Sequence, residues 1–132
     1  AKKIYNKIPI IYGDSDSLNT LAVRLKGQIC ENGKILAYHN IFPEMNHNEI
    51  VGWGKNSELF KSYFIIWLFD KKMNERNKAR QKIVMDMFDK LALNQFKLEV
   101  DNLKFSRNWF TKNIPIWKYI FDKNSAPLGR GE

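Results

Sequence analysis

A chain of 132 residues, 44% hydrophobic and 27% charged, carries enough apolar surface for one packed domain and too much to stay disordered. Its formal net charge of +8 points to anionic partners (phosphorylated small molecules, nucleic acid or an acidic surface), against the plainer alternative of a lysine excess that serves solubility. A single cysteine, Cys30, excludes an internal disulfide and fits a reducing compartment, and the longest apolar run, 63–69, is far short of the roughly 20 residues that span a bilayer. The opening AKKIYNKIPI has no long apolar stretch of the signal-peptide kind, so a cytoplasmic protein is expected; Ala1 at the front means either a removed initiator methionine or a cut from something longer.

Ile8-Pro9-Ile10-Ile11-Tyr12, β-branched and apolar, reads as a buried strand ending at Gly13. Asp14-Ser15-Asp16-Ser17 is a turn offering helix N-caps, and Leu18, Leu21, Ala22, Leu25 and Ile29 follow helical spacing. Gly33 is the expected helix stop, which places Glu31 in the last turn. There the negative end of the helix dipole disfavours a carboxylate, as suits a general base, with Lys34 pulling the other way. An exposed Glu beside a helix end is the plainer alternative.

Residues 35–38 (Ile-Leu-Ala-Tyr) read as a short strand. Asn46 and Glu49 have the spacing of a capping box, which puts His47 in the first turn of a short helix bearing Ile50, Val51 and Trp53. In that position the helix dipole favours a neutral imidazole that exchanges protons, against the alternative of a surface His beside a cap. The run 63–69 is the strongest strand signal and is apolar on both faces, as in a central strand. From Asn74 a helix is expected to run to about Asn94, with Ala79, Ile83, Val84, Met87, Phe88, Leu91 and Ala92 as its inward stripe. Its basic residues read as a solvated face. Alternation of Phe96, Leu98 and Val100 with Lys97 and Glu99 predicts a half-exposed strand near a sheet edge. Helices are expected over 103–110 and 117–121, then an irregular tail. The order β-α-β-α-β-α-β-α predicts an α/β fold: a three-layer α/β/α sandwich with a mainly parallel sheet, one domain over 1–132.

No phosphate-loop or dinucleotide glycine motif is present. His39, His47, Glu44 and Glu49 match no recognised metal-site spacing, so no metal is expected. A Cys30/His47 nucleophilic pair and a Glu31/His47 proton-transfer pair both remain open on local evidence.

IPIIYG, LAVRLKGQICENGK and AYHNIFPEMNHNEIVGW together resemble the C-terminal half of the bifunctional phosphoglucose/phosphomannose isomerases, members of the sugar isomerase (SIS) superfamily. The pattern is a strand ending in YG, a helix with R-x-K then E-N-x-K, and P-E-x-N-H-N-E followed by an apolar residue and x-G-W. Here it falls on Arg24, Lys26, Glu31, Asn32, Lys34, Pro43, Glu44, Asn46, His47, Asn48, Glu49, Gly52 and Trp53. The resemblance is dense over about 8–53 and looser beyond 60.

It implies an SIS-like parallel sheet between helices and aldose–ketose isomerisation of a hexose 6-phosphate through an ene-diol, glucose 6-phosphate or mannose 6-phosphate giving fructose 6-phosphate. Glu31 would move the proton between C1 and C2, and His47 would assist ring opening, acting across a homodimer. Arg24, Asn32, Lys34, Asn46, Asn48 and Glu49 would bind substrate or support the site, with no metal or organic cofactor. Family members carry two SIS domains, a phosphate-gripping Ser/Thr-rich loop in the first, and a C-terminal lysine that neither Lys118 nor Lys123 matches well. The resemblance therefore implies an incomplete site in this chain alone, needing its other SIS half. The alternatives are a non-catalytic, phosphosugar-binding regulatory SIS domain and, on charge alone, a nucleic-acid-binding domain. Trp53 is expected at the surface, where a dimer would cover it.

Overall fold

The computed structural model describes residues 4, 6–55 and 57–100. Strand β1 (Ile8–Asp14) is followed by helix α1 (Asn19–Gly33), strand β2 (Tyr38–Phe42), short helix α2 (Glu44–Asn48), two 3₁₀ turns (Gly52–Gly54 and Ser57–Ser62), strand β3 (Tyr63–Phe69), helix α3 (Glu75–Lys90) and strand β4 (Asn94–Glu99). The four strands form one parallel sheet in the order β2-β1-β3-β4. The helices expected over 103–110 and 117–121, and the tail, lie outside the described residues.

Alternation along the strands sends side chains to two separate cores. Ile11, Phe64, Ile66 and Leu68 pack with Leu21, Ala22, Leu25 and Ile29 of α1. Tyr12, Ile65 and Trp67 pack on the other face with Met45 of α2 and Val84 and Phe88 of α3. This is the expected three-layer α/β/α sandwich. β3 is buried through its centre on both faces, and β4 is a half-exposed strand at the sheet edge among the described residues; Leu98 and Val100 turn inward as the alternation predicts, whereas Phe96 is exposed.

The turn from β1 into α1 is built by two neighbouring residues. At Gly13 any Cβ would lie 3.0 Å from the Leu18 carbonyl oxygen, a tight contact that glycine avoids. Buried Asp14 then accepts from the Ser17 amide (3.0 Å), the Ser17 hydroxyl (2.9 Å) and the Leu18 amide (2.9 Å), fixing the turn that leads into α1.

Several boundaries differ from the sequence reading. α1 runs through Gly33, and Lys34 takes the left-handed conformation (φ 55°) in place of glycine. The strand expected over 35–38 begins only at Tyr38, because Ala37 turns into the α1 core while Leu36 points to solvent. α3 stops at Lys90, and its buried face is Asn77, Gln81, Val84 and Phe88, with Ala79 and Ile83 exposed. The rotated stripe holds because its polar members are satisfied: the Gln81 amide donates to the Leu68 carbonyl (2.9 Å), and Asn77 accepts from Arg80 (2.9 Å).

α3 ends in a Schellman turn. Leu93 N–H bonds the Phe88 carbonyl and Ala92 N–H the Asp89 carbonyl, with Ala92 itself at φ 55°. An alanine there crowds its Cβ against the backbone, a cost of about 1–2 kcal/mol that glycine avoids. Ala92→Gly is therefore expected to stabilise the fold by about 0.5–1 kcal/mol after glycine's greater unfolded-state entropy is subtracted, measured as a rise in the urea midpoint at constant m.

Candidate active site

α1 begins at the carboxyl edge of the sheet, where β1 ends, and returns to the amino edge, where β2 starts. Glu31 and Asn32 thus sit exposed in its last turn at the amino edge. The chain from α2 to β3 crosses back over the opposite face. His47 is exposed on α2, so Glu31 and His47 are carried by helices packed on opposite faces of the sheet. Neither side chain has a hydrogen-bond or ion-pair partner among the described residues. Lys34 is exposed just beyond Glu31, and Arg24 is exposed on α1.

The capping box predicted at Asn46 and Glu49 does not form. α2 starts at Glu44, after Pro43, so Asn46 lies inside the helix and His47 in its last turn rather than its first. The dipole argument for His47 therefore does not apply. Asn46 keeps its side-chain oxygen buried without a protein partner.

Glu49 is instead drawn to the sheet. One carboxylate oxygen accepts from the Tyr12 hydroxyl at 2.7 Å, the other from the Asn40 amide at 2.7 Å. Asn40 also donates to Asn48 Oδ1 (3.2 Å), and Asn48 donates to Glu44 (3.3 Å). The Tyr12 hydroxyl accepts in turn from the Trp53 indole N–H at 3.1 Å. Burial, and then the neighbouring Glu49 charge and hydrogen bond, push the Tyr12 phenol above its ordinary range, so it is a neutral donor around neutral pH. Trp53, expected at the surface, is buried: its ring centroid lies 4.8 Å from Phe88, 5.5 Å from Tyr63 and 5.6 Å from Phe60. Tyr12 and Asn40 are the members of this network that sequence reasoning misses. They face each other in register on β1 and β2, but their link to Glu49 spans 37 and 9 residues, and no local spacing reveals it.

His39 is half-buried on the α1 side of β2. No group of three or more His, Cys, Asp or Glu side chains placed to hold a metal occurs among the described residues. Among the same residues no helix is long and apolar enough to cross a membrane.

A parallel four-stranded sheet with β1 at the point where the strand order reverses, sandwiched between helices, is the SIS-type architecture that the motifs imply. Over residues 1–108 the sequence matches the family described as bacterial phospho-glucose isomerase C-terminal SIS domain, and the chain belongs to that family. Three curated relatives are each named bifunctional phosphoglucose/phosphomannose isomerase. The one from Caldicellulosiruptor bescii is 46% identical over 85 residues, covering 64% of this chain and 25% of its own length. That from Aquifex aeolicus is 34% identical over 122 residues, 92% of this chain and 38% of its own. That from Thermoplasma acidophilum is 37% identical over 94 residues, 69% of this chain and 30% of its own. The chain thus spans between 25% and 38% of the length of these relatives. No solved structure gives a significant match.

Burial lowers the His39 pKa from its ordinary 6.5, the Lys26 ammonium adds to the effect, and Glu49 opposes it. A histidine lowered on folding is held neutral, so the unfolded chain binds the extra proton first as pH falls. The stability it contributes is present above pH 6.5 and is lost as pH drops through that value toward the lowered pKa. Between about pH 7.5 and about pH 5.5 the urea midpoint is expected to fall more for the unaltered chain than for His39→Gln.

Proposed function

We propose that this chain forms the C-terminal SIS half of an enzyme that interconverts an aldose and a ketose 6-phosphate, converting glucose 6-phosphate or mannose 6-phosphate to fructose 6-phosphate. The observation that carries the reading is the pair of family-motif residues, Glu31 and His47, left exposed with no partner among the described residues, while Asn48 and Glu49 beside His47 are tied to the scaffold. The names of the curated relatives support the same chemistry.

In the proposed reaction His47 passes a proton from O1 to O5 of the closed sugar, opening the ring to the aldehyde. The Glu31 carboxylate then takes the C2 proton, leaving an enediolate whose charge is on O1, and the O2 proton passes to O1. Glu31 returns its proton to C1 as the C2 carbonyl forms, yielding the ketose. A carboxylate and an imidazole suffice for these transfers, without metal or organic cofactor. Arg24 and Lys34 supply positive charge for the phosphate, and Asn32, Asn46 and Asn48 supply amides for the hydroxyls.

Glu31 and His47 ride on helices packed on opposite faces of the sheet, which favours a site to which two copies each contribute one of them. The reading therefore places the site between copies of the protein, as in a homodimer, with a further SIS half completing the grip on the phosphate. Such an enzyme belongs in the cytoplasm with its phosphorylated substrates.

In the whole protein that carries this chain, Glu31→Gln is expected to slow fructose 6-phosphate formation from either substrate by about 10²- to 10⁴-fold, followed in a coupled assay. Undiminished turnover in the variant overturns the assignment of the base. No turnover in the unaltered protein, with phosphosugar binding retained, leaves the non-catalytic regulatory domain.

A further inference from the structure

We propose that Tyr12 is a positioning residue for His47, holding α2 against the sheet through the carboxylate of Glu49. The inference rests on the role given to His47 above. α2 has five residues, too few to persist through its own backbone hydrogen bonds. It needs anchors from outside, and two bracket the histidine. Met45, two residues before it, is fully buried in the aromatic core; Glu49, two residues after it, is bonded to Tyr12 and Asn40. His47 projects to solvent between these fixed points.

The anchor is rigid at its far end. The Tyr12 ring is fully buried and stacks on Trp67, with centroids 5.0 Å apart and planes at 27°. A phenylalanine would stack as well, so the packing alone does not call for a hydroxyl. The oxygen is used twice, donating to Glu49 and accepting from Trp53, which follows α2 in the chain. One buried atom of β1 thereby fixes both the end of α2 and the turn after it.

The test is a double-mutant cycle in the whole protein with Tyr12→Phe, His47→Gln and their combination, alongside amide hydrogen exchange. Tyr12→Phe is expected to lower kcat by about ten- to a hundredfold, as for a catalytic group displaced by a remote change, with KM little altered. Added to His47→Gln it is expected to cost nothing more, because its effect passes through the imidazole. Losses that multiply in the double variant overturn the proposal. The Ile50 amide, bonded to the Met45 carbonyl, and the Gly52 amide, bonded to the Glu49 carbonyl, report local opening without any assay. Both are expected to exchange about tenfold faster in Tyr12→Phe while Leu25 in α1 keeps its rate. Unchanged exchange at Ile50 and Gly52, or an equal rise at Leu25, also overturns it. If the unaltered protein does not turn over, the isomerase reading fails on its own, and the exchange rates still decide whether Tyr12 holds α2.

Discussion

The hydroxyl of Tyr12 sits on the floor of an aromatic core, between the sheet and the segment that crosses from β2 to β3. A hydroxyl buried without partners costs about 1–3 kcal/mol on protein mutational evidence. Here it has a carboxylate on one side and an indole N–H on the other. A short bond to an ionised acceptor is among the stronger kinds a protein makes. The described residues of 43–62 hold one short helix and two 3₁₀ turns, and so have little regular structure to fix them. Their path is set by what they dock onto: Met45 and Trp53 in the core, Glu49 on Tyr12 and Asn40, and Phe60 against Trp53.

The two faces of the sheet are held in different ways. On the α1 face the contacts are mainly aliphatic, a helix stripe of Leu21, Ala22, Leu25 and Ile29 against Ile11, Ile66 and Leu68. That helix is held by its own apolar stripe. It stops at Lys34, a non-glycine residue in the left-handed region, three positions after Glu31. The same left-handed conformation at Ala92 closes α3, so both serve as helix stops. The other face is aromatic and laced with polar bonds, because α2 and the turns after it cannot be held by a helix stripe.

This difference explains what was legible in the sequence. β1, α1 and β3 are read almost to their ends because each is specified by its own hydrophobic pattern. The fold class follows from the alternation of such elements. Where partners are distant in sequence, local reading fails. Glu49 has capping-box spacing from Asn46 but is claimed by Tyr12, 37 residues away. Trp53 looks like a surface residue until Phe88 and Tyr63 are brought to it. Gln81 breaks the apolar stripe of α3 and is buried all the same, because the Leu68 carbonyl at the end of β3 is there to accept from it. The motif residues at Glu31 and His47 were legible as a pattern. Their separation on opposite faces was not, since spacing along a chain says nothing about which side of a sheet each helix takes.

That separation bears on why the strut through Tyr12 is polar. An apolar contact resists being pulled apart but slides with little penalty, since hydrophobic attraction is non-directional. A hydrogen bond to a carboxylate weakens steeply with misalignment. If His47 has to meet a sugar held by another copy of the protein, its position must be fixed relative to its own sheet before the copies meet. Met45 supplies adhesion for α2, and the Tyr12–Glu49–Asn40 bonds supply direction. Two oxygens of one carboxylate, bonded to side chains on adjacent strands, fix both the distance of α2 from the sheet and its rotation about its own axis. A Leu or Met at position 49 would secure the first and leave the second loose.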